Sequence, residues 1–157
     1  MPVPNTYRCA AIRPMNGAMA GITLETAQVN GRRSRPSVLL IEDNLTQLDL
    51  YSLVLQEELN VTTATRAETG FAIAAIERPD AIVIDVLLPD GDGLDLCDRL
   101  RQHQGTTSTP LVVLTGDDQA YERAMRVRSV DAILKKPCPA DRLLTTLHRA
   151  IAARCVR

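Results

Sequence analysis

Acidic, hydroxyl and basic side chains follow four separate apolar runs of this 157-residue chain. Glu42 and Asp43 come directly after VLLI, and Asp85 comes directly after AIVI. Thr115 ends LVVLT, and Lys136 follows ILK. Carboxylates near an ammonium group and a hydroxyl suit the binding of a divalent cation and of a tetrahedral oxyanion such as a phosphoryl group. An aspartate can also act as a nucleophile and form an aspartyl phosphate.

These residues can act together only if the fold brings the ends of the four runs to one place. The apolar runs are short and unbroken, and they alternate with helical segments, which is typical of parallel strands covered on both faces. We predict one α/β domain with a doubly wound five-stranded parallel sheet of strand order 2-1-3-4-5. The predicted strands are 38–41, 61–64, 81–85, 110–115 and 130–135, and the predicted helices are 45–59, 67–77, 93–103, 118–128 and 139–154.

All strand carboxyl ends of such a sheet share one edge, where ligands bind. Three carboxylates there would raise one another's pKa values unless a cation lay among them, and we expect Mg²⁺. Taken singly, each residue has an ordinary alternative. Asp85 can be a turn residue, Thr115 a helix cap and Lys136 a solvated surface lysine, while Glu42–Asp43 can be a charge pair favoured by the following helix. Their coincidence at four strand ends favours a single site.

Residues 1–36 differ in composition from the rest of the chain. They carry a net charge of +4, against −5 for the remaining 121 residues. They show no sustained hydrophobic period, so we predict a flexible extension with at most a short helix near Ile22–Val29, followed by the domain 37–157. Met15 and Met19 are alternative start sites. The basic tail could contact an anionic partner, although such a tail is more often merely solvated. The acidic body argues against direct nucleic-acid binding.

Composition limits the remaining classes of protein. Apolar residues make up 45% of the chain and charged residues 24%, as in ordinary globular proteins. No apolar run is long enough to cross a bilayer and no signal peptide is visible, so we expect a cytoplasmic protein without membrane insertion. The cysteines have no metal-binding spacing, which favours reduced thiols and argues against zinc; they are Cys9, Cys97, Cys138 and Cys155.

The stretches LLIEDN (39–44), IVIDVLLPDGDG (82–93), LVVLTG (111–116) and ILKKP (133–137) resemble the receiver domain of two-component response regulators. The resemblance spans about residues 37–154. It implies a flavodoxin-like receiver fold that takes a phosphoryl group from a histidine kinase or histidine phosphotransfer protein and then switches partner binding. It also implies that the protein is not an enzyme with turnover, because receivers catalyse only their own phosphorylation and dephosphorylation.

The resemblance assigns roles to the residues at the strand ends. It implies that Asp85 is the phosphoacceptor and that Glu42 and Asp43 hold Mg²⁺ with Asp85 and the backbone carbonyl of Leu87. Thr115 corresponds to the switch hydroxyl. Lys136, not Lys135, corresponds to the family lysine, and it precedes a proline in a peptide bond that is usually cis. The residue after Thr115 is a glycine, as expected where space beside a phosphoryl group is limited.

Some positions depart from the family pattern, including Ser129-Val130, where the family usually has Gly-Ala. The residue three before the family lysine is usually aromatic but here is Ile133, so we do not expect Thr115 to couple to an aromatic switch. Leu87 cannot position an attacking water, which predicts slow autodephosphorylation, and Asp117 would offset this only partly.

The sequence leaves open the output of the protein and two alternative functions. We expect a single-domain response regulator without an output domain, whose output is binding to an unidentified partner or onward phosphotransfer. A phosphorylation-independent adaptor is the main alternative function. An aspartyl-nucleophile phosphatase is less favoured, because such enzymes usually carry a second aspartate where this chain has Leu87.

The faces of two predicted helices are candidate surfaces for partner binding. The first helix carries extra apolar residues, which form either a surface for the phosphodonor protein or, as we favour, mostly core: Leu45, Leu50, Leu53 and Val54. The fourth helix carries charges of both signs, which form either a homodimer face or, more commonly, a solvated face.

Overall fold

The computed structural model describes residues 35–154. Five parallel strands form one sheet: β1 (Ser37–Ile41), β2 (Asn60–Ala64), β3 (Ala81–Ile84), β6 (Leu111–Thr115) and β7 (Ala132–Lys135). The hairpin between β3 and the next helix consists of β4 (Leu87–Leu88) and β5 (Gly91–Asp92). Five helices complete the fold: α1 (Leu45–Leu55), α2 (Ala67–Glu77), α3 (Gly93–Gln102), α4 (Asp118–Ala124) and α5 (Ala140–Arg154). The predicted helix near Ile22–Val29 lies outside the described residues.

The sheet order is β2-β1-β3-β6-β7, which confirms the predicted order of the five strands. In the centre of the sheet, Leu40 of β1 lies beside Val83 of β3, and Val83 lies beside Val112 of β6. All residues of β3 have 0% exposure, which explains why its sequence is apolar throughout instead of alternating. Each fully buried aliphatic side chain of this kind contributes about 1.5–3 kcal/mol.

The two faces of the sheet have separate cores. On one face, side chains such as Leu39, Ile82 and Val113 pack with α2, α3 and α4. On the other face, Val83 and its neighbours pack with residues of α1 and α5 such as Leu143. The doubly wound architecture therefore leaves only the two edges of the sheet, where the strands begin and end, for ligands.

Two helices end about four residues earlier than predicted. The helix α1 ends at Leu55 instead of about Leu59, because Glu57 and Glu58 donate to carbonyls only three residues back in a tightened last turn. Acidic residues are also unfavourable at the negative end of a helix dipole. Likewise α4 ends at Ala124 instead of Arg128, in a turn of three-residue hydrogen bonds.

Helix caps come from both local and distant residues. Asn44 caps α1 by accepting from the Gln47 N–H at 3.1 Å. Arg66 precedes α2 but gives no side-chain cap. Asp90, in the hairpin between β4 and β5, caps α2 instead by accepting from the N–H groups of Ala67 at 2.8 Å and Glu68 at 3.1 Å.

The outer face of α1 contradicts the prediction that its extra apolar residues are mostly core. Leu45, Leu50 and Leu53 are 63%, 58% and 69% exposed. The inner face is filled by Leu48, Tyr51 and Leu55, which leaves no room in the core for the other three. Val54 is partly buried.

The described chain enters and leaves the fold on the same side. Arg35 Nη1 donates to the Gln56 carbonyl at 2.8 Å, and Asn60 Nδ2 donates to the Arg35 carbonyl at 2.9 Å. Residues 35 and 36, which we assigned to the flexible extension, are therefore hydrogen-bonded to the fold. Because β1 begins and α5 ends at the amino edge of the sheet, Arg35 and Arg154 both lie opposite the strand carboxyl ends. In residues 35–154, no helix is both long and apolar enough to cross a membrane.

Candidate functional site

Two buried carboxylates and one lysine meet at the carboxyl edge of the sheet. Glu42 follows β1 and is 1% exposed, and Asp85 follows β3 and is 7% exposed. Lys136 follows β7, and its Nζ donates to Glu42 Oε2 at 2.6 Å and to Asp85 Oδ2 at 2.7 Å. Lys135 instead forms an exposed ion pair with Asp118. The structure thus directs Lys136, and not Lys135, to the carboxylates.

Asp43 completes an acidic cluster with these two residues. One carboxylate oxygen each of Glu42, Asp43 and Asp85 lie within 4.8 Å of one another. Asp43 is exposed, so the cluster opens to solvent. Hard oxygen donors beside water are the environment in which proteins bind Mg²⁺, and this donor set therefore fits the predicted ion.

The remaining oxygens of the two buried carboxylates accept hydrogen bonds from the backbone. Glu42 Oε1 accepts from the Asn44 N–H at 3.2 Å, and Asp85 Oδ1 accepts from the Leu87 N–H at 3.3 Å. The loops after β1 and β3 therefore fix the directions in which both carboxylates point. That the Leu87 carbonyl is a metal ligand stays a prediction.

Burial and charge shift two pKa values at this edge. Burial raises the pKa of Glu42; the hydrogen bond from Lys136 opposes this, and the neighbouring charge of Asp85 adds to it. Burial alone would lower the pKa of Lys136, but its hydrogen bonds to Asp85 and Glu42 outweigh burial and raise it. Lys136 therefore carries a positive charge at neutral pH, in a site where a cation is favoured.

Thr115 lies at the end of β6 and has 0% exposure. Its carbonyl accepts from the Lys136 N–H at 2.8 Å, which ties the two strand ends together. Its Oγ accepts from the Asp117 N–H at 3.3 Å. The hydroxyl therefore lies at the same edge of the sheet as Asp85 and points into the loop that begins α4.

Asp117 has a structural task in this loop. Its carboxylate caps α4 by accepting from the Ala120 N–H at 2.7 Å. Only Oδ1 makes this bond, and the partial offset of slow dephosphorylation by Asp117 stays a prediction. Ile133 is partly buried and packs with the core on the α4 side of the sheet. The Lys136–Pro137 peptide bond is cis, as expected from the resemblance.

Two residues of the loop after β3 were missed by the sequence analysis. A Cβ on Gly93 would lie 2.1 Å from the Asp85 carbonyl oxygen, so only glycine allows this approach. Asp92 caps α3 through the Leu94 N–H at 2.8 Å and accepts from Arg123 Nη1 of α4 at 2.6 Å. An aspartate followed by a glycine directly before a helical pattern is the sequence signal that could have identified this cap. By contrast, a Cβ on Gly116 would make an ordinary contact of 3.6 Å with Lys136.

A cavity of about 810 Å³ lies at the other edge of the sheet, between the ends of α3 and α5 and the start of β7. None of the residues at the carboxyl edge of the sheet lines this cavity. Arg101 lines it and is committed to structure, because it donates to the carbonyls of Thr107, Thr109 and Ser129 and pairs with Asp131. The convergent chemistry therefore belongs to the carboxyl edge.

Comparison with known proteins agrees with the fold. The response regulator receiver domain matches residues 38–148. Transcriptional regulatory protein AfsQ1 of Streptomyces coelicolor is 37% identical over 123 residues, which are 76% of this chain and 52% of AfsQ1. The DNA-binding dual master transcriptional regulator RpaA of Synechocystis is 32% identical over 124 residues, which are 78% of this chain and 51% of RpaA. The chain spans about half the length of these curated relatives.

Solved structures of receiver domains and response regulators have the same fold. A putative response regulator from Chloroflexus aurantiacus superposes with a TM-score of 0.70 at 30% identity, over 76% of this chain and 99% of that one. The receiver domain of sensor histidine kinase PA1611 from Pseudomonas aeruginosa has a TM-score of 0.66 at 25% identity, over 76% and 99%. That structure has a magnesium ion coordinated in its active site cleft. The chain belongs to the response regulator receiver domain family of two-component signal transduction.

Proposed function

We propose that this receiver accepts a phosphoryl group on Asp85 from the phosphohistidine of a histidine kinase or histidine phosphotransfer protein. The observation that carries the proposal is the position of Lys136, which donates to both Glu42 and Asp85 at the open acidic cluster. A structural ion pair would need only one carboxylate. Three carboxylates and one lysine converge where a cation and a phosphoryl group can be held together.

The proposed step is a displacement at phosphorus. One Asp85 oxygen forms a bond to phosphorus while the bond from phosphorus to the donor nitrogen breaks, and its electron pair stays on the imidazole nitrogen. Lys136 keeps its positive charge beside the transferred oxygens, and the Thr115 hydroxyl is available to donate to one of them. When bound by Glu42, Asp43 and Asp85, Mg²⁺ supplies further neutralisation of phosphoryl charge.

Leu87, Thr115 and Lys136 favour a signalling switch over an enzyme with turnover. Leu87 offers no acid or base two residues after the proposed nucleophile, so the acyl phosphate would persist. A long-lived phosphoryl group adds charge that Thr115 and Lys136 can contact, and this would change the loop before α4 and the partners it meets.

Incubation of the full chain with Mg²⁺ and acetyl phosphate, followed by intact mass measurement, tests the proposal. We expect a gain of one phosphoryl group in the wild type and in Asp98→Asn, which alters an exposed aspartate of α3. We expect no gain in Asp85→Asn. A wild type that stays unmodified would instead support the phosphorylation-independent adaptor.

The metal requirement is tested with the same assay. We expect EDTA to abolish the mass gain and added Mg²⁺ to restore it. Asp43→Asn should need more Mg²⁺ than the wild type, because it loses one charged ligand. Asp49→Asn removes the same charge from the exposed side of α1 and should titrate like the wild type. Equal Mg²⁺ requirements for both variants would contradict the ligand assignment.

A further inference from the structure

Three leucines lie on the outer face of α1, beside the exposed Thr46 and Asp49, although this face points away from the core. Leu45, Leu50 and Leu53 are each more than half exposed. At about 100° per residue they fall within an arc of roughly 140°, opposite the buried face of the helix. An amphipathic surface helix normally carries polar residues there, so three leucines on one such face indicate that something covers it.

The segment that carries these leucines is acidic. The segment 45–59 contains Asp49, Glu57 and Glu58 and no lysine or arginine. The carboxyl end of α1 also carries the negative end of the helix dipole, and its last turn has no basic residue. A basic segment with a few apolar side chains would therefore complement this face in both charge and polarity.

The sequence before Arg35 is basic and contains apolar residues, and it joins the fold at the carboxyl end of α1. Arg35 is hydrogen-bonded to Gln56 and Asn60 at the carboxyl end of α1, so the preceding residues start there. Arg32 and Arg33 come immediately before this anchor. Further upstream, the sequence ITLETAQV at Ile22–Val29 carries apolar side chains and one acidic residue.

The segment Ile22–Val29 also matches the row of exposed leucines on α1 in length. From Leu45 to Leu53 the rise along α1 is about 12 Å, and a helix over Ile22–Val29 would also be about 12 Å long. The five residues 30–34 span at most about 17 Å when extended, which is enough to connect such a helix to Arg35.

We propose that residues 22–33 fold back along the outer face of α1 and run parallel to it. Ile22 would lie toward Leu45 and Val29 toward Leu53, while Arg32 and Arg33 would approach Glu57 and the carboxyl end of α1. Because the segment is tethered at Arg35, its effective concentration at this face is far above that of any free molecule, which favours it over a second copy of the chain. This contact is independent of phosphorylation at Asp85.

Hydrogen exchange of the full chain, read by mass spectrometry, tests the proposal. We expect amides of residues 22–29 to exchange at least about tenfold more slowly than in a free peptide of the same sequence. The double variant Leu50→Ser with Leu53→Ser should return them to the peptide rate. Ile76→Ser, which alters an 82% exposed residue of α2, should leave them protected. Exchange of residues 22–29 at the peptide rate in the wild type would overturn the proposal.

A second pair of variants tests the charge contribution. Arg32→Glu with Arg33→Glu should reduce the protection of residues 22–29, whereas Arg8→Glu with Arg13→Glu changes charge equally but farther from the anchor and should not. Protection that appears only at concentrations where light scattering detects a dimer would identify a second copy as the occupant. Protection that needs an added partner protein would likewise overturn the intramolecular contact.

Discussion

Leu87 lies beside the proposed phosphoacceptor and has an apolar side chain that is 57% exposed. Its N–H donates to the Asp85 carboxylate, so its side chain begins next to the proposed phosphoacceptor. We expect Leu87→Asn to speed loss of the phosphoryl group on the order of tenfold, since a polar side chain can position the attacking water. Decay of the phosphorylated mass after donor removal measures this rate. Leu87→Met keeps an apolar side chain and should decay like the wild type; a Leu87→Asn rate no faster than that would contradict the idea.

Gly93 is held against the backbone of the Asp85 loop. In Gly93→Ala the new methyl group would meet the Asp85 carbonyl oxygen at 2.1 Å and the Val86 Cα at 2.9 Å, and backbone atoms cannot rotate away. We expect the free energy of unfolding to fall by about 1–3 kcal/mol, measured by urea denaturation. Gly91→Ala, two residues earlier, would meet only the Ala67 Cβ at 3.8 Å and should change stability by less than about 0.5 kcal/mol. Equal losses in both variants would contradict this account.

At the scale of single residues, the sequence predicts the site through residue type and position. Glu42, Asp85 and Lys136 each follow an apolar strand, and parallel strands deliver such residues to one edge. The second hydrogen bond of Lys136 is not predictable in this way, because it depends on side-chain direction. Gly93 was missed for the same reason: its role is visible only when the Asp85 carbonyl lies against it.

At the scale of elements, α2 depends on a cap from another part of the chain. Asp90 accepts hydrogen bonds from the N–H groups of Glu68 and Ala67, and these lower the pKa of Asp90 below its ordinary value of 3.8. A lowered carboxyl pKa stabilises the fold fully above pH 3.8, and this contribution is lost as the pH falls through the folded-state value. We therefore expect Asp90→Ala to lower the melting temperature at neutral pH and to approach the wild type in more acidic solution.

The matched control for the cap is Asp98→Ala. It removes an exposed aspartate of α3, and its melting temperature should follow the wild type at both pH values. A pH-independent difference between Asp90→Ala and the wild type would mean that the carboxylate charge is not what stabilises α2.

Elements with strong apolar patterns were predictable, and those set by tertiary contacts were not. The bounds of α2 match the prediction at 67–77, because an unbroken helical sequence ends before Pro79. The hairpin of β4 and β5 has only two residues per strand and no alternating pattern. Its Asp90 cap joins residues 22 and 23 positions apart, which no local pattern encodes.

At the scale of the whole molecule, the thiol of Cys97 reports on global unfolding. Cys97 has 0% exposure, and burial raises its pKa to about 12. The group is protonated and inaccessible in the folded state, so we expect alkylation at about pH 8 to be limited by unfolding. Cys138 is 8% exposed, and its pKa is raised by burial as well, so it should be modified sooner than Cys97.

Peptide mapping after timed iodoacetamide treatment measures both rates, and the same reaction in denaturant is the control. Labelling of Cys97 as fast as in denaturant would contradict the prediction. The sign of the pH effect follows from the raised pKa: this thiol stabilises the fold below its ordinary value of 9.0, and its contribution is lost as the pH rises toward about 12.

The overall topology was predictable because five apolar strands alternate with helices and connections are right-handed. Which face of α1 is buried was harder to predict, since both faces carry leucines. Tyr51 resolves the choice in the structure: its hydroxyl donates to the Cys138 carbonyl at 3.0 Å, which holds that face toward α5. A hydrophobic pattern on both sides of a helix cannot distinguish the core from a covered surface.

Arg35 and Arg154 both lie at the amino edge of the sheet, whereas Asp85 lies at the carboxyl edge. The geometry therefore makes this domain a one-sided module, because both attachment points lie at the edge of the sheet opposite the one that carries Asp85. A pair of fluorophores attached at the two ends would report on the separation of those ends without obstructing the site. The same arrangement makes residues 35 and 154 natural junctions for transplanting the receiver into another chain.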